Sequence, residues 1–193
     1  TPVQVRAIGY SQKLPSLKPI GVKGYDLVDT EVMFNTGAVA HIITGWAIPN
    51  SAWSLTVQSG RLICSDGLID LSLDMPGLRE IHADGIFEVN PLFKNFEKDG
   101  SVTGYGISSP GRLYQQILAQ RNGQMSDAER EALMTPITLG FHTAVVLEAA
   151  EKSLAEGRRL DTGATLGSTI DLRQLVVNEL GAAAAKEYGY AQP

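Results

Sequence analysis

The chain has 193 residues, 44% of them hydrophobic and 19% charged, with a formal net charge of −5. That composition belongs to a globular chain with a real core and excludes disordered and fibrous classes. The acidic balance argues against nucleic-acid binding, because a phosphate backbone is held largely by Lys and Arg. Cys64 is the single cysteine, so an intrachain disulfide and a thiolate metal site are both ruled out, and a reducing, cytoplasmic setting is the expectation. No apolar run approaches the ~20 residues of a membrane-spanning helix, and no basic start followed by an apolar stretch marks a signal peptide. The chain opens on Thr1 rather than Met, as expected of a piece of a longer protein.

The first two thirds read as strands. Val3 to Ile8 alternates apolar and polar residues, the period of a half-buried strand. After a loop holding Pro15, Lys18 and Pro19, a second strand runs from Tyr25 to Phe34, with Val28, Thr30, Val32 and Phe34 on one face. Asn35-Thr36-Gly37 is a hairpin signal, and a return strand follows from Ala38 to Ile48. Further strands are expected at 52–57, 61–64, 68–73, 78–82 and 86–89, separated by Ser59-Gly60, Asp66-Gly67, Met75-Pro76-Gly77 and Asp84-Gly85. Connections this short join antiparallel neighbours, since a parallel crossover needs a dozen residues or more.

After Pro91 the pattern turns helical. Ser109-Pro110 opens a helix with the apolar stripe Leu113, Ile117 and Leu118, and Asn122-Gly123 closes it. Ser126 and Glu129 form a capping box for a short helix. Thr138 to Glu156 is the strongest helix, with Leu139, Val146, Ala149, Ala150 and Leu154 on its buried side and Gly157 as its stop. The Ala-rich tail after Ala182 reads as a frayed helix end. Arg158-Arg159 is a basic doublet at a helix end, where the dipole favours it. Strands first and helices later give α+β: one open, mainly antiparallel sheet with helices packed on one face, in a single domain over residues 1–193.

Residue patterns alone assemble no catalytic constellation. Asp161-Thr162-Gly163-Ala164 spells the signature of aspartic proteases, where two carboxylates share a proton. That signature should follow an apolar strand; here it follows Gly157-Arg158-Arg159-Leu160, and a turn is the better reading. Gly104-Tyr105-Gly106 lacks the third glycine of a dinucleotide loop, because Ser109 stands there. His41, His82 and His142 show no metal-ligand spacing. His82, just before Ala83-Asp84-Gly85, is the most plausible functional histidine. Trp46 and Trp53 read as sheet core in preference to interface, and Ser108 and Ser109 lack the glycines of a nucleophile elbow.

The order of elements resembles the C-terminal domain of the Gfo/Idh/MocA family of NAD(P)-dependent oxidoreductases. The resemblance rests on Asp26 to Ala40 as an Asp-led strand, Asn-Gly-like turn and small-residue strand, with Thr36 inserted before the glycine. It also rests on Trp46-Ala47-Ile48-Pro49, on Val57 to Leu62, where the pattern's second glycine is missing, and on the closing Ser153 to Arg159. It covers about residues 3 to 160. Members of that family carry a preceding Rossmann domain, a catalytic Lys in E-K-P and a catalytic His in G-x-H-x-x-D. None of these motifs is in this chain, and Lys18-Pro19, preceded by Leu17, does not take the Lys role.

The resemblance therefore implies a substrate-pocket and oligomerisation domain, inactive alone, from an enzyme acting on a sugar- or cyclitol-like hydroxyl. It implies no catalytic, cofactor-binding or metal residue in this chain, leaves the substrate-binding residues unknown, and expects NAD or NADP in the intact protein. The expected partners are further copies through the open sheet face and the chain's own Rossmann domain. The alternative is a free-standing ligand-binding or interaction domain of the same fold.

Overall fold

Period-two alternation along the first strand puts Val5 and Ala7 on one side and Arg6 and Ile8 on the other, and the rest of the core is laid on the first side. A computed structural model describes residues 1–17, 23–46, 57–72, 77–82, 85–89, 94–96, 98–104, 109–133 and 137–191. They form two units, Thr1–Ala47 with Thr135–Pro193, and Ile48–Met134.

In the first unit, β1 (Pro2–Tyr10), β2 (Leu27–Phe34) and β3 (Val39–Gly45) run antiparallel in sequence order. The β2–β3 hairpin closes as its sequence requires: Gly37 sits at φ 85, where a side chain is disfavoured, and its N–H donates to the Phe34 carbonyl at 2.9 Å. The other edge of β1 is covered from the far end of the chain. β11 (Ala164–Leu166) pairs with Ile8 to Tyr10, β12 (Ile170–Asp171) pairs with Gln4 and Val5, and β10 (Arg158–Arg159) adds outside β11. All six strands of this sheet are joined antiparallel.

α3 (Ile137–Ala155) and α4 (Leu172–Glu187) cover one face of that sheet. On α3 the buried residues are Val145, Ala149, Ala150, Ser153 and Leu154, spaced by three, four or eight positions as a helix stripe requires. They meet Val5, Ala7, Val32 and Ile170 of the sheet and Leu172, Leu175 and Val176 of α4. Leu139, expected inside, is 53% exposed, one turn too early to reach the sheet.

The second unit holds a meander of β4 (Ser59–Cys64), β5 (Gly67–Ser72), β6 (Gly77–His82) and β7 (Gly85–Val89). A separate hairpin joins β8 (Lys94–Phe96) to β9 (Val102–Gly104), and α1 (Ser109–Arg121) and α2 (Asp127–Leu133) follow. α1 ends in a Schellman turn, with the Gly123 N–H on the Gln120 carbonyl and the Gln124 N–H on the Ala119 carbonyl. α2 opens on the capping box, Ser126 N–H to Glu129 Oε2 at 2.8 Å and Glu129 N–H to Ser126 Oγ at 3.3 Å.

The α+β class and the antiparallel sheet stand as the sequence implies, with the strands distributed over three sheets. Four local expectations change. The segment after Pro91 contains the β8–β9 hairpin before any helix. Arg158-Arg159 is an edge strand, because β11 offers it a ladder that a helix end does not. The tail after Ala182 is docked, since Ala185 and Tyr190 are each 1% exposed. Trp46 lies outside the core at 85% exposure, just past the end of edge strand β3, although its N–H is held by the Asp26 carbonyl. Trp53 and all but the last residue of the strand expected at 52–57 fall outside the described residues, and Val57 is not in a strand.

Asp26 fixes the loop between β1 and β2. Its carboxylate accepts from the N–H groups of Gln12, Lys13 and Leu14 at 2.7, 2.6 and 2.7 Å. Those bonds, Leu14 and Lys13 foremost, hold its pKa below the ordinary 3.8. A carboxylate lowered in the folded state stabilises above its unfolded value and stops doing so as pH falls through the folded one. Asp26→Asn is therefore expected to lower the melting temperature by several degrees at pH 7 and by progressively less below pH 3.8. Thermal melts across pH 2–7 check this, and equal losses at both ends would contradict it.

Candidate functional site

The face of the first sheet turned away from α3 and α4 carries the densest set of chemically active side chains among the described residues. Strand register orders it in rows. Gln4, Met33 and Val39 form one row; Arg6, Glu31 and His41 the next; Ile8, Asp29 and Ile43 the third; Tyr10, Leu27 and Gly45 the fourth. Apolar members are open to solvent: Tyr10 43%, Met33 39%, Val39 50% and Ile43 64% exposed. At the centre, His41 Nδ1 lies 3.9 Å from Asp29 Oδ1 and His41 Nε2 lies 3.8 Å from Glu31 Oε2. Both are charge-pair distances, too long for hydrogen bonds. Asp29 Oδ1 is itself shut off from solvent and has no hydrogen-bond partner among the described residues. Arg6, opposite Glu31, donates from Nε to the Gly167 carbonyl at 3.3 Å.

The residues singled out from sequence are scattered. His41 is the histidine the structure places among carboxylates. His82 ends β6 opposite Gly85 and Gly67, and Ala83 and Asp84 lie outside the described residues. His142 is on α3, its Nδ1 2.9 Å from the Tyr190 hydroxyl, a packing role. Asp161-Thr162-Gly163 is the β10–β11 turn, with Gly163 at φ 86 and its N–H on the Leu160 carbonyl; no second carboxylate of a protease dyad stands in hydrogen-bond contact with Asp161 among the described residues. Cys64 is exposed at the end of β4. Lys18, Pro19 and Ser108 lie outside the described residues, and Ser109 is the first residue of α1. The residues missed are Asp29 and Glu31. Counting outward from Asn35-Thr36-Gly37 in steps of two would have aligned both with the return strand.

No group of His, Cys, Asp and Glu among the described residues is arranged to hold a metal ion. The described residues also do not fit a dinucleotide. Every described strand pairing is antiparallel, whereas a dinucleotide crevice needs parallel strands with a glycine turn into a helix N-terminus. Gly104, from the glycine cluster, is instead paired with Lys94 in a β-hairpin. No described helix is long and apolar enough to cross a membrane.

The first unit is thus an antiparallel sheet with helices on one face and a charged, partly apolar second face. Solved structures are similar to the chain in fold. An inositol dehydrogenase homologue from Azotobacter vinelandii complexed with NAD+ matches with a TM-score of 0.58 at 17% identity, over 89% of this chain and 43% of that one. The same homologue with NADH and myo-inositol matches at 0.58 and 16%, over 88% and 44%. An oxidoreductase from Agrobacterium radiobacter in complex with NAD+, L-tartaric acid and magnesium matches at 0.52 and 15%, over 90% and 44%. The chain thus has the fold of part of these oxidoreductases and spans under half their length. No family model matches the sequence, and no curated protein does.

Proposed function

We propose that this chain is the substrate-pocket and oligomerisation domain of an NAD(P)-dependent oxidoreductase of the Gfo/Idh/MocA type, acting on a sugar- or cyclitol-like hydroxyl. The observation that carries the reading is the fold, shared over 89% of the chain with an NAD+-complexed inositol dehydrogenase homologue and equivalent to 43% of it. Residues 1–193 act in it as one functional domain. Nicotinamide binding, hydride transfer and the proton-handling Lys and His belong to the other part of the protein. What these residues supply is one wall of the substrate pocket and a surface for assembly.

The assembly partner is a second copy, meeting through the open face of the first sheet. The open face exposes Tyr10, Met33, Val39 and Ile43, and exposed apolar side chains grouped within a polar rim favour an interaction site. That face holds Arg6 together with Asp29 and Glu31, so a two-fold arrangement can set each copy's arginine against the other's carboxylates. Sedimentation of the 193-residue chain is expected to show a dimer, and Ile43→Asp to give a monomer with an unchanged circular-dichroism spectrum. Fluorescence titration is expected to show no NADH binding at micromolar concentrations. A monomeric parent chain, or saturable NADH binding, would overturn the proposal.

A further inference from the structure

We propose that His41 links self-association through this face to pH, the chain pairing with its copy more tightly as the imidazole takes up a proton. This rests on the dimer reading above and adds its regulation.

His41 stands on edge strand β3, beside two carboxylates of β2. Asp29 Oδ1 is 3.9 Å from Nδ1 and Glu31 Oε2 is 3.8 Å from Nε2. Among the described residues, register also places on the face Arg6 of β1, beyond Glu31, Arg158 of β10, in the row of Leu166 and Ile8, and Asp171 of β12, in the row of Gln4, three strands from His41 and accepting the Gln174 N–H at 3.0 Å. Three strand spacings, about 14 Å, separate Arg158 from Asp29, more than a Debye length at physiological salt. α3 and α4 lie on the opposite face. The local balance is thus two carboxylates against one arginine, whose Nε is already bonded to the Gly167 carbonyl.

In the free chain, water tempers that imbalance at Glu31, whose side chain is 45% exposed, and at the open part of Asp29, 34% exposed, while Asp29 Oδ1 is already shut off from solvent. A second copy laid on the face removes the water, and an unpaired carboxylate is costly to bury. A neutral imidazole has one N–H and can serve one of the two acids. The imidazolium has two, one toward each, and cancels the excess charge. Imidazole is the side chain whose charge ordinarily changes between about pH 5 and 8. Association therefore takes up protons, and by linkage proton uptake strengthens association.

Sedimentation equilibrium of the full chain at pH 8, 7 and 6 tests this. The dimer dissociation constant is expected to fall by roughly 5- to 150-fold between pH 8 and 6. His41→Gln keeps an N–H donor without the charge and is expected to stay at the weak pH 8 value throughout. Asp29→Asn, which leaves one carboxylate to one arginine, is expected to give a tight dimer already at pH 8, with little further gain at pH 6. A dimer whose affinity does not change with pH, or that keeps its pH dependence in His41→Gln, overturns the role of His41 and leaves the interface standing. Absence of a dimer at all three pH values overturns both.

Discussion

Tyr190→Ala is expected to destabilise the first unit by about 3–5 kcal/mol, the range for emptying a large aromatic site. Tyr190 is the largest fully buried side chain among the described residues, at 1% exposure, and it enters the core because of how α4 ends. Gly189 takes φ 76, its N–H reaches the Lys186 carbonyl at 3.4 Å, and the Tyr190 N–H reaches the Ala185 carbonyl at 2.7 Å. That is a Schellman turn, which folds the residue after the glycine back along the helix. The ring meets Phe141 at 6.2 Å and His142 at 5.3 Å, both edge-on, while Phe141 stacks on Tyr188 at 4.0 Å. Tyr190→Phe keeps the volume and removes only the hydroxyl partner of His142, so its loss should be nearer 1–2 kcal/mol. Urea titrations of the two variants separate packing from hydrogen bonding, and equal losses would show that the ring contributes little.

The same cluster carries a pH dependence of definite sign. Burial lowers the pKa of His142 below 6.5 and pushes that of Tyr190 up to about 12, so both are neutral in the folded chain at pH 7. Above pH 6.5 the unfolded imidazole is also neutral and this group leaves stability unchanged. Below it, the unfolded state binds the proton more readily, and stability falls until the pH passes the lower folded value.

Local signals were legible where one turn or cap decides the structure. Asn35-Thr36-Gly37, Asn122-Gly123 and the Ser126–Glu129 box each hold their chemistry within a few residues, and each forms. β10, β11 and β12 have two or three residues apiece, too few for a period; β11 and β12 exist because β1 has a free edge to offer, and β10 because β11 then has one. The β8–β9 hairpin is as short and was missed, although Asp99-Gly100 carries a turn signal: Gly100 sits at φ 82 and Asp99 Oδ1 accepts the Ser101 N–H at 2.9 Å. The Ala-rich run after Ala182 looked like a free end because the anchor, Tyr190, lies beyond it and its partners are about fifty residues upstream.

The candidate site divides the same way. His82 was preferred in sequence and His41 read as a packed mid-strand histidine, because a histidine in isolation carries no chemistry; what meaning His41 has comes from Asp29 and Glu31 across the ladder. Those two read in sequence as the polar half of an alternating strand, which they are. The resemblance to an oxidoreductase domain rested on the order of elements and on several segments, among them Ser153-x-x-x-Gly157-Arg158, a pattern with no chemistry of its own. The structure supplies its physical reason.

Ser153 and Gly167 are the second place where a small change should have a large effect. Between β11 and β12 the ladder along β1 breaks at Ala7, and α3 fills the break. Ser153, fully buried, accepts the Ala7 N–H at 3.0 Å and donates to the Ser168 carbonyl at 2.6 Å, while its own carbonyl takes the Ser168 N–H at 3.0 Å. Gly167 donates to the Ala7 carbonyl at 2.9 Å, and a Cβ on it would collide with that carbonyl and with Ser153 Oγ. Gly157 is needed for the same reason, since a Cβ there would lie 2.6 Å from the Leu166 carbonyl oxygen. Ser153→Ala strands a buried N–H and weakens a buried carbonyl, for about 1–3 kcal/mol. Gly167→Ala overpacks the joint, for about 1–3 kcal/mol or more. The double variant should lose less than the sum, because removing Oγ relieves one of the three collisions, those with the Ala7 and Ser153 carbonyls remaining, and the joint can be broken only once. Urea midpoints at constant slope measure all three. Strict additivity would mean that the helix, β1 and the β11–β12 break are not held by one shared contact.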